Sequence, residues 1–477
     1  MERRQFLKTA AAATVLLHQD PALWGKKAES FGRQRLKVGI LSDVHVKYFQ
    51  PSVTTGRFVK ALNYFKENRV DAVLIAGDMT SCGNVKELRM IADAWYSVFK
   101  DDKGLDGQPV TKLFIYGNHE IDGWKYSVVK QRPDYASILS DRIDEKRGAV
   151  WEELFHEPWS PIYIKDVKGY KFIGGHFANS LNMPGLEEFL EAHKAELPPV
   201  GKPFFYFQHT HPRGTCSAPW TWGQDDGTVT EILSRYPNVV AFSGHSHSPL
   251  TDDRTVWQGS FTSIGTASLS FIIGFGGREN GRVYGSPNQA PSQMPYLNGS
   301  KAHHGQIMTV YDDYLVLRKH EFEYDEDLGD DWVVPLDVSL GAMSFEKRAE
   351  AEVPPQFRPA SAVTTEVHPG KDRQGVEQEQ MAVRFPSAPR TKSSPRAFDY
   401  EVCVEVEDVD TYKTVLTKRV YSEAYYLGEQ RDAATEVVCE FGLGELPLDR
   451  PFRFAVRPCG CFGRKGEVIY SPVIVNA

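Results

Sequence analysis

An α/β domain followed by a small all-β sandwich is the fold class that the sequence predicts, and three observations predict it. Between Leu36 and His247 short apolar bursts alternate with helical patterns, the order that builds a sheet covered by helices. Beyond Pro359 the apolar period shortens to two, as half-buried strands require. The chain has 477 residues, more than one core supports, because single cores stop growing near ~250 to 300 residues.

Residues 37–41 read as the first strand, which runs into Asp43. Phe58, Leu62 and Phe65 then recur at helical spacing, and residues 72–75 form a second apolar run that ends in Gly77-Asp78. A helix fits 85–99, after which residues 113–116 run into Gly117-Asn118-His119-Glu120. Residues 131–157 read as a helical insertion, 162–177 as a hairpin and 186–197 as a helix. Two more strands follow: residues 204–207 lead into Gln208-His209-Thr210-His211, and 239–242 lead into Gly244-His245-Ser246-His247. Each polar cluster stands where a strand ends, and ligands of α/β sheets bind beyond the carboxyl ends of the strands. Gly77, Gly117 and Gly244 are expected to let the backbone turn sharply there.

Residues 274–304, rich in Gly, Pro, Ser and Asn, read as a surface loop near the mouth of that site, with His303-His304 solvated at its end. Residues 306–310 and 314–322 look like a closing pair of strands. The charged, proline-bearing stretch 346–359 marks a linker. After it, Tyr400, Val402, Val404 and Val406 alternate with polar neighbours, as do Phe452, Phe454 and Val456, which fits a β-sandwich.

Composition excludes several classes. Hydrophobic residues make 41% and charged residues 25% of the chain, enough apolar material for sizeable cores. The net charge of -8 lacks the basic excess of a nucleic-acid binder. After the first 20 residues no apolar run approaches the roughly 18 residues that cross a bilayer, so no stable membrane span is expected in the mature form. The six cysteines contain no C-x-x-C pair, which disfavours a thiolate zinc site and leaves buried free thiols.

The polar clusters, in order, are Asp43-x-His45, Gly77-Asp78, Gly117-Asn118-His119-Glu120, His209 and Gly244-His245-Ser246-His247. Two divalent cations roughly 3.5 to 4 Å apart repel, so a carboxylate should bridge them while imidazoles and an amide complete the shells without excess charge. Asp78 suits the bridge. The ordered set resembles the calcineurin-like metallophosphoesterase family over residues 36–325.

The resemblance implies a metallophosphoesterase-type β-sandwich flanked by helices and a pair of divalent ions of the Mn, Fe or Zn kind. By the family's pattern, Asp43, His45, Asp78 and His247 hold the first metal, and Asp78, Asn118, His209 and His245 the second. It further implies hydrolysis of phosphomono- or diesters by a hydroxide held between the metals, with His119 contacting the phosphate and protonating the leaving oxygen, a task suited to imidazole. Asn118, His211 and Arg213 are the expected substrate contacts on a small-molecule or polymer-linked phosphate ester, and Trp220 and Trp222 are candidates to stack on a substrate ring or pack under their loop. Purple acid phosphatases carry a tyrosine ligand where this chain has Ser81, and protein Ser/Thr phosphatases follow Gly-Asp with Asp-Arg-Gly where this chain has Met79-Thr80-Ser81-Cys82; neither branch fits. The rival from another class is an exported binding or adhesion protein on the same fold without catalysis.

Two further resemblances complete the domain map. Arg3-Arg4-Gln5-Phe6-Leu7-Lys8 before the apolar residues 9–17 resembles a twin-arginine export signal. This implies passage through the twin-arginine translocase to the periplasm or outside of a bacterium, with cleavage near residues 22–31. The tail, with Leu446-Pro447, the run 452–456 and Ser471-Pro472, resembles a fibronectin type III-like sandwich, although Phe452 stands near the place of its usual corner tyrosine. The expected domains are thus 1–31 for export, 32–345, the linker 346–359, and 360–477.

Overall fold

A computed structural model describes residues 32–475 except 217–223, 275–296, 300–301, 373–374, 392–393, 410, 426 and 428–434. The chain divides into two compact units. The first runs to Leu250 and adds Thr255–Ile273 and Ser300–Lys347; the second takes Thr251–Arg254, Gly274–Gly299 and the chain from Arg348 onward. The residues of the expected export signal, Trp220, Trp222 and most of the glycine-rich stretch lie outside the described residues. Among the described residues no helix is long and apolar enough to cross a membrane.

The first unit contains two mixed sheets. Strands β1 (Leu36–Leu41), β2 (Ala72–Ala76) and β3 (Thr111–Ile115) are parallel neighbours. The second sheet has β4 (Ile162–Val167) and β5 (Tyr170–Gly175) as a hairpin, then β6 (Phe204–Phe207) and β7 (Val239–Ser243) parallel to β5. β8 (Val256–Gln258) and β9 (Thr262–Gly265) finish it, giving the order β4-β5-β6-β7-β9-β8. Two three-residue strands come next in the chain, β10 (Ile272–Gly274), which starts at the end of this unit's stretch, and β11 (Leu297–Gly299), which belongs to the second unit. β12 (His304–Val310) then returns antiparallel to β1 and pairs with β13 (Tyr314–Glu321), which also carries β14 (Glu326–Asp327) and β15 (Trp332–Pro335). Every residue of β2, β6 and β7 is buried, as strands covered on both faces must be.

The covering helices bury one stripe each. In the helix Pro51–Glu67, Phe58, Ala61, Leu62 and Phe65 are buried, and proline opens its first turn, where a missing N–H costs nothing. The helix Val85–Val98 starts on Asn84, whose side chain accepts from Glu87 N at 2.9 Å, and buries Leu88, Ile91 and Trp95. Both stripes join β1 to β3 in one core.

Two sequence expectations need correction here. His303 and His304 are not solvated: they are 2% and 0% exposed. His304 opens β12, a strand paired on both sides, and its Nδ1 accepts from Leu250 N at 3.2 Å, while burial pushes His303 down to about 3. The charged stretch after residue 345 also starts as a helix, Phe345–Ala351, with Phe345 and Arg348 buried; its alternation of charge and Ala is compatible with a turn of amphipathic helix.

The second unit is all β after that helix. One sheet has the order β16 (Thr364–Lys371), β17 (Glu377–Pro386), β20 (Glu436–Gly442); the other runs β19 (Thr411–Tyr421), β18 (Asp399–Asp408), β21 (Phe452–Cys459), β22 (Ile469–Tyr470). Met381, Val383 and Phe441 of the first sheet share a core with Val402, Val404, Phe454 and Val456 of the second. All six cysteines are free thiols, and only Cys403 is not buried.

Candidate metal centre

Five loops at the carboxyl ends of β1, β2, β3, β6 and β7 carry the polar clusters, and backbone bonds tie the loops to one another. Asp43 N donates to Gly77 O and His45 N to Asp78 O, both at 3.0 Å, and Gly244 N donates to His209 O at 2.9 Å. Asp43, His45, Asp78, His245 and His247 all hold positive φ, between 47° and 66°, a left-handed backbone that non-glycine residues rarely adopt. Of the three glycines, only Gly77 turns that way, at φ 88°, and an added Cβ would lie 2.5 Å from His209 Nδ1. Gly117 and Gly244 instead keep room for the carboxylates: a Cβ would strike Asp78 Oδ1 or lie 2.6 Å from Asp43 Oδ2.

The side chains converge. Donor atoms of Asp43, His45 and His247 lie within 4.8 Å of one another, as do those of Asp78, His209 and His245, and those of His45, Asp78 and His119. His247 Nε2 is 3.0 Å from Asp43 Oδ1, and His209 Nε2 is 3.1 Å from Asp78 Oδ2. His45 Nε2 is 3.8 Å from each carboxylate and 3.3 Å from His247 Nε2. His245 Nδ1 is 3.1 Å from His209 Nε2.

The residues fit divalent metal. The far nitrogens are pinned: His209 Nδ1 lies 2.7 Å from Ala76 O and His247 Nδ1 2.8 Å from Phe271 O. A ring whose Nδ1–H is spent on a carbonyl turns the lone pair of Nε2 inward, the arrangement of metal-binding histidines. Asn118 Oδ1 is buried with no hydrogen-bond partner, while its Nδ2 donates to Tyr126 Oη at 2.7 Å. A buried carbonyl oxygen left in this state lacks the partner that such groups require, and a cation supplies one. Two carboxylates, one amide oxygen and four imidazoles suit Mn, Fe or Zn.

Charge follows from this geometry. Burial alone would raise the Asp43 carboxyl, but the His247 and His209 imidazoles outweigh it and hold it at about 2. Burial likewise opposes ionisation of Asp78, and His209 and His119 overcome it and keep the group well below its usual range. Burial drives His245 down to about 3 and His45 well below its ordinary value.

Each expected site residue has a definite place. Asp43, His45, Asp78, Asn118, His209, His245 and His247 stand together. His119 lies beside them: its Nδ1 is 2.8 Å from Ser81 O, its Nε2 4.0 Å from Asp78 Oδ2, and its side chain is 24% exposed. His211 is a correction. It is fully buried, with Nε2 2.7 Å from Ser246 Oγ and Nδ1 2.7 Å from Ser243 Oγ, so one nitrogen holds the His245–His247 loop and the other the end of β7. Arg213 is exposed and attached to the next loop, its backbone N on Asp225 Oδ1 at 3.1 Å and its guanidinium toward Asp226 O at 3.4 Å; nothing brings it to the donor set.

Three residues escaped the sequence reading. Glu120 is fully buried and accepts from Asp78 N, Gly117 N, Thr80 N and Thr80 Oγ1 at 2.6–3.1 Å, tying the second loop to the third; burial, with the charge of Asp78 adding, pushes it up to about 7. Its place in the Gly-Asn-His-Glu block was the available signal. Phe271 packs on the rings of His247 and His45, with centroids 4.3 and 6.1 Å apart. Tyr126 stacks on His119 at 4.7 Å. No motif marks either aromatic.

The fold is of the metallophosphoesterase α/β kind. Residues 36–249 match the family model of the calcineurin-like phosphoesterases. Among solved structures, the chain is similar to a dimetal phosphatase from Danio rerio (14% identity, 64% of this chain and 100% of that one, TM-score 0.35). It is also similar to a purple acid phosphatase from yellow lupin seeds (14% identity, 64% and 55%, TM-score 0.39), and to the zinc complex of Vps29 from Entamoeba histolytica (10% identity, 63% and 99%, TM-score 0.28). No curated protein matches the chain.

Proposed function

We propose that the chain hydrolyses phosphate mono- or diesters at a dinuclear metal centre. The observation that carries the reading is the meeting of two donor groups, Asp43/His45/His247 and Asp78/His209/His245, with Asp78 also within reach of His45 and His119. When bound, a divalent pair supplies an activated water and neutralises phosphoryl charge. Asp78 lies between the two groups and suits the shared ligand; Asn118 Oδ1 completes the second. The pinned Nδ1 atoms of His209 and His247 keep their rings from turning away. His119, partly exposed and oriented through Ser81 O, stands ready to donate a proton to the departing ester oxygen from Nε2.

The three-strand and four-strand sheets around one core support a fibronectin type III-like second unit, and the Arg3-Arg4 signal supports export through the twin-arginine translocase to the periplasm or outside. The test of the reaction is hydrolysis of p-nitrophenyl phosphate and its bis ester with added Mn, with Asp78→Ala alongside. Activity on one or both esters should drop to background in the variant; undiminished activity there would exclude the two-metal mechanism.

A further inference from the structure

Tyr126 is absent from the set of donors, yet it is tied to two residues of the centre. Its hydroxyl oxygen accepts from Asn118 Nδ2 at 2.7 Å, and its ring stacks on His119 with centroids 4.7 Å apart and planes at 24°. It is 39% exposed, so the phenol has one side on the buried centre and one side open.

The carboxamide of Asn118 fixes the direction of the phenol's proton. Asn118 can serve a cation only through Oδ1, so Nδ2 must point the other way, and it points at Tyr126. A phenol has one proton and can both donate and accept. Because Tyr126 Oη accepts from Nδ2, that proton is not engaged with Asn118, and no acceptor for it exists among the described residues. The stacking on His119 restricts the ring. The result is a preoriented donor at the open edge of the site, next to both the second metal's amide ligand and the residue expected to protonate the leaving group.

We propose that Tyr126 is a substrate-binding residue whose O–H donates to a phosphoryl oxygen of the ester. The inference rests on the phosphoesterase reading above and deepens it. A phosphoryl oxygen drawn toward the cation that Asn118 helps to hold arrives beside the same carboxamide. Hydrogen bonds to charged groups are stronger than neutral ones, which makes the phosphate's anionic oxygen a better acceptor than water.

The experiment compares the Mn-loaded protein with Tyr126→Phe, which keeps the ring over His119 and removes only the hydroxyl. Binding of inorganic phosphate is read by calorimetry, metal content by atomic absorption, and KM and kcat on p-nitrophenyl phosphate. Phosphate affinity should weaken about 10-fold or more, as expected for one hydrogen bond to a charged acceptor, and KM should rise while the chain retains its metal and its melting temperature. Phosphate affinity within about twofold of the parent overturns the inference, and so does loss of metal from the variant, which would leave Tyr126 as a support for Asn118 alone. Unchanged binding in a parent that is active sinks only the tyrosine. A metal-loaded parent that neither binds phosphate nor cleaves either ester sinks the phosphoesterase reading, and this inference with it.

Discussion

His119 Nδ1 lies 2.8 Å from the carbonyl oxygen of Ser81. The same ring packs edge-on against His45 and face-on against Tyr126, so three contacts leave Nε2 as its one open position. His119 is therefore expected to act on substrate and not on metal. His119→Ala should lower kcat by about 10²- to 10⁴-fold, the range for a general acid, with bound metal unchanged by atomic absorption. Metal lost in proportion to activity would make the residue a ligand.

Glu120 serves the centre without touching substrate. Its four accepted hydrogen bonds come from the loops that carry Asp78 and Asn118. Glu120→Gln would turn an N–H against some of those donors. We expect metal affinity about 10- to 100-fold weaker, as for other outer supports of metal ligands, measured by titration with a competing chelator. Unaltered affinity would show that the loops hold without it.

His176 predicts an acid-sensitive core. It is 3% exposed, and its Nδ1 accepts from Tyr116 N at 3.0 Å, which demands the neutral ring. Burial, with Lys165 and Arg147 adding, pushes it from 6.5 down to about 3. The unfolded chain therefore binds more protons in that window, so the stabilisation is present above about pH 6.5 and is lost as pH falls toward about 3, at up to about 1.4 kcal/mol per pH unit. His176→Gln can still accept from Tyr116 but cannot titrate. Urea unfolding near pH 7 and near pH 5 should show the parent losing about 1 to 2 kcal/mol more than the variant across that span; parallel losses would refute the assignment.

In the second unit, Asp252 and Arg254 form a buried bidentate pair, with Nε on Oδ1 at 2.9 Å and Nη2 on Oδ2 at 2.6 Å, and exposures of 5% and 3%. The guanidinium also lies over the ring of Phe398. Asp252→Ala takes the bidentate carboxylate from a buried guanidinium and should cost about 1 to 3 kcal/mol, visible as a lowered unfolding midpoint. A change below about 1 kcal/mol would mean that water reaches the guanidinium.

The clusters were legible because each follows a short, largely apolar strand: Asp43 after β1, Asp78 after β2, Asn118 after β3, His209 after β6 and His245 after β7. Such strands announce themselves by composition, and the loops after β1, β2 and β3 of one sheet meet those after β6 and β7 of the other. What stayed hidden depends on contacts that no local pattern encodes. His211 has the look of a substrate ligand beside His209, but it is buried with both ring nitrogens on Ser243 and Ser246. His304 reads as polar, yet β12 lies between β1 and β13, and a strand in that position buries whatever it carries. Tyr126 stands eight residues past Asn118 with no spacing rule to connect them; only the folded turn brings phenol to amide.

Five of the seven expected metal ligands sit in left-handed backbone, each at a cost on the order of 1 kcal/mol. Evolution toward heat resistance alone would favour glycine or asparagine at Asp43, His45, Asp78, His245 and His247, and every such gain would delete a donor. Thermal robustness in this domain must therefore be sought in its strands and helices, because the loops that do the chemistry are held taut by them.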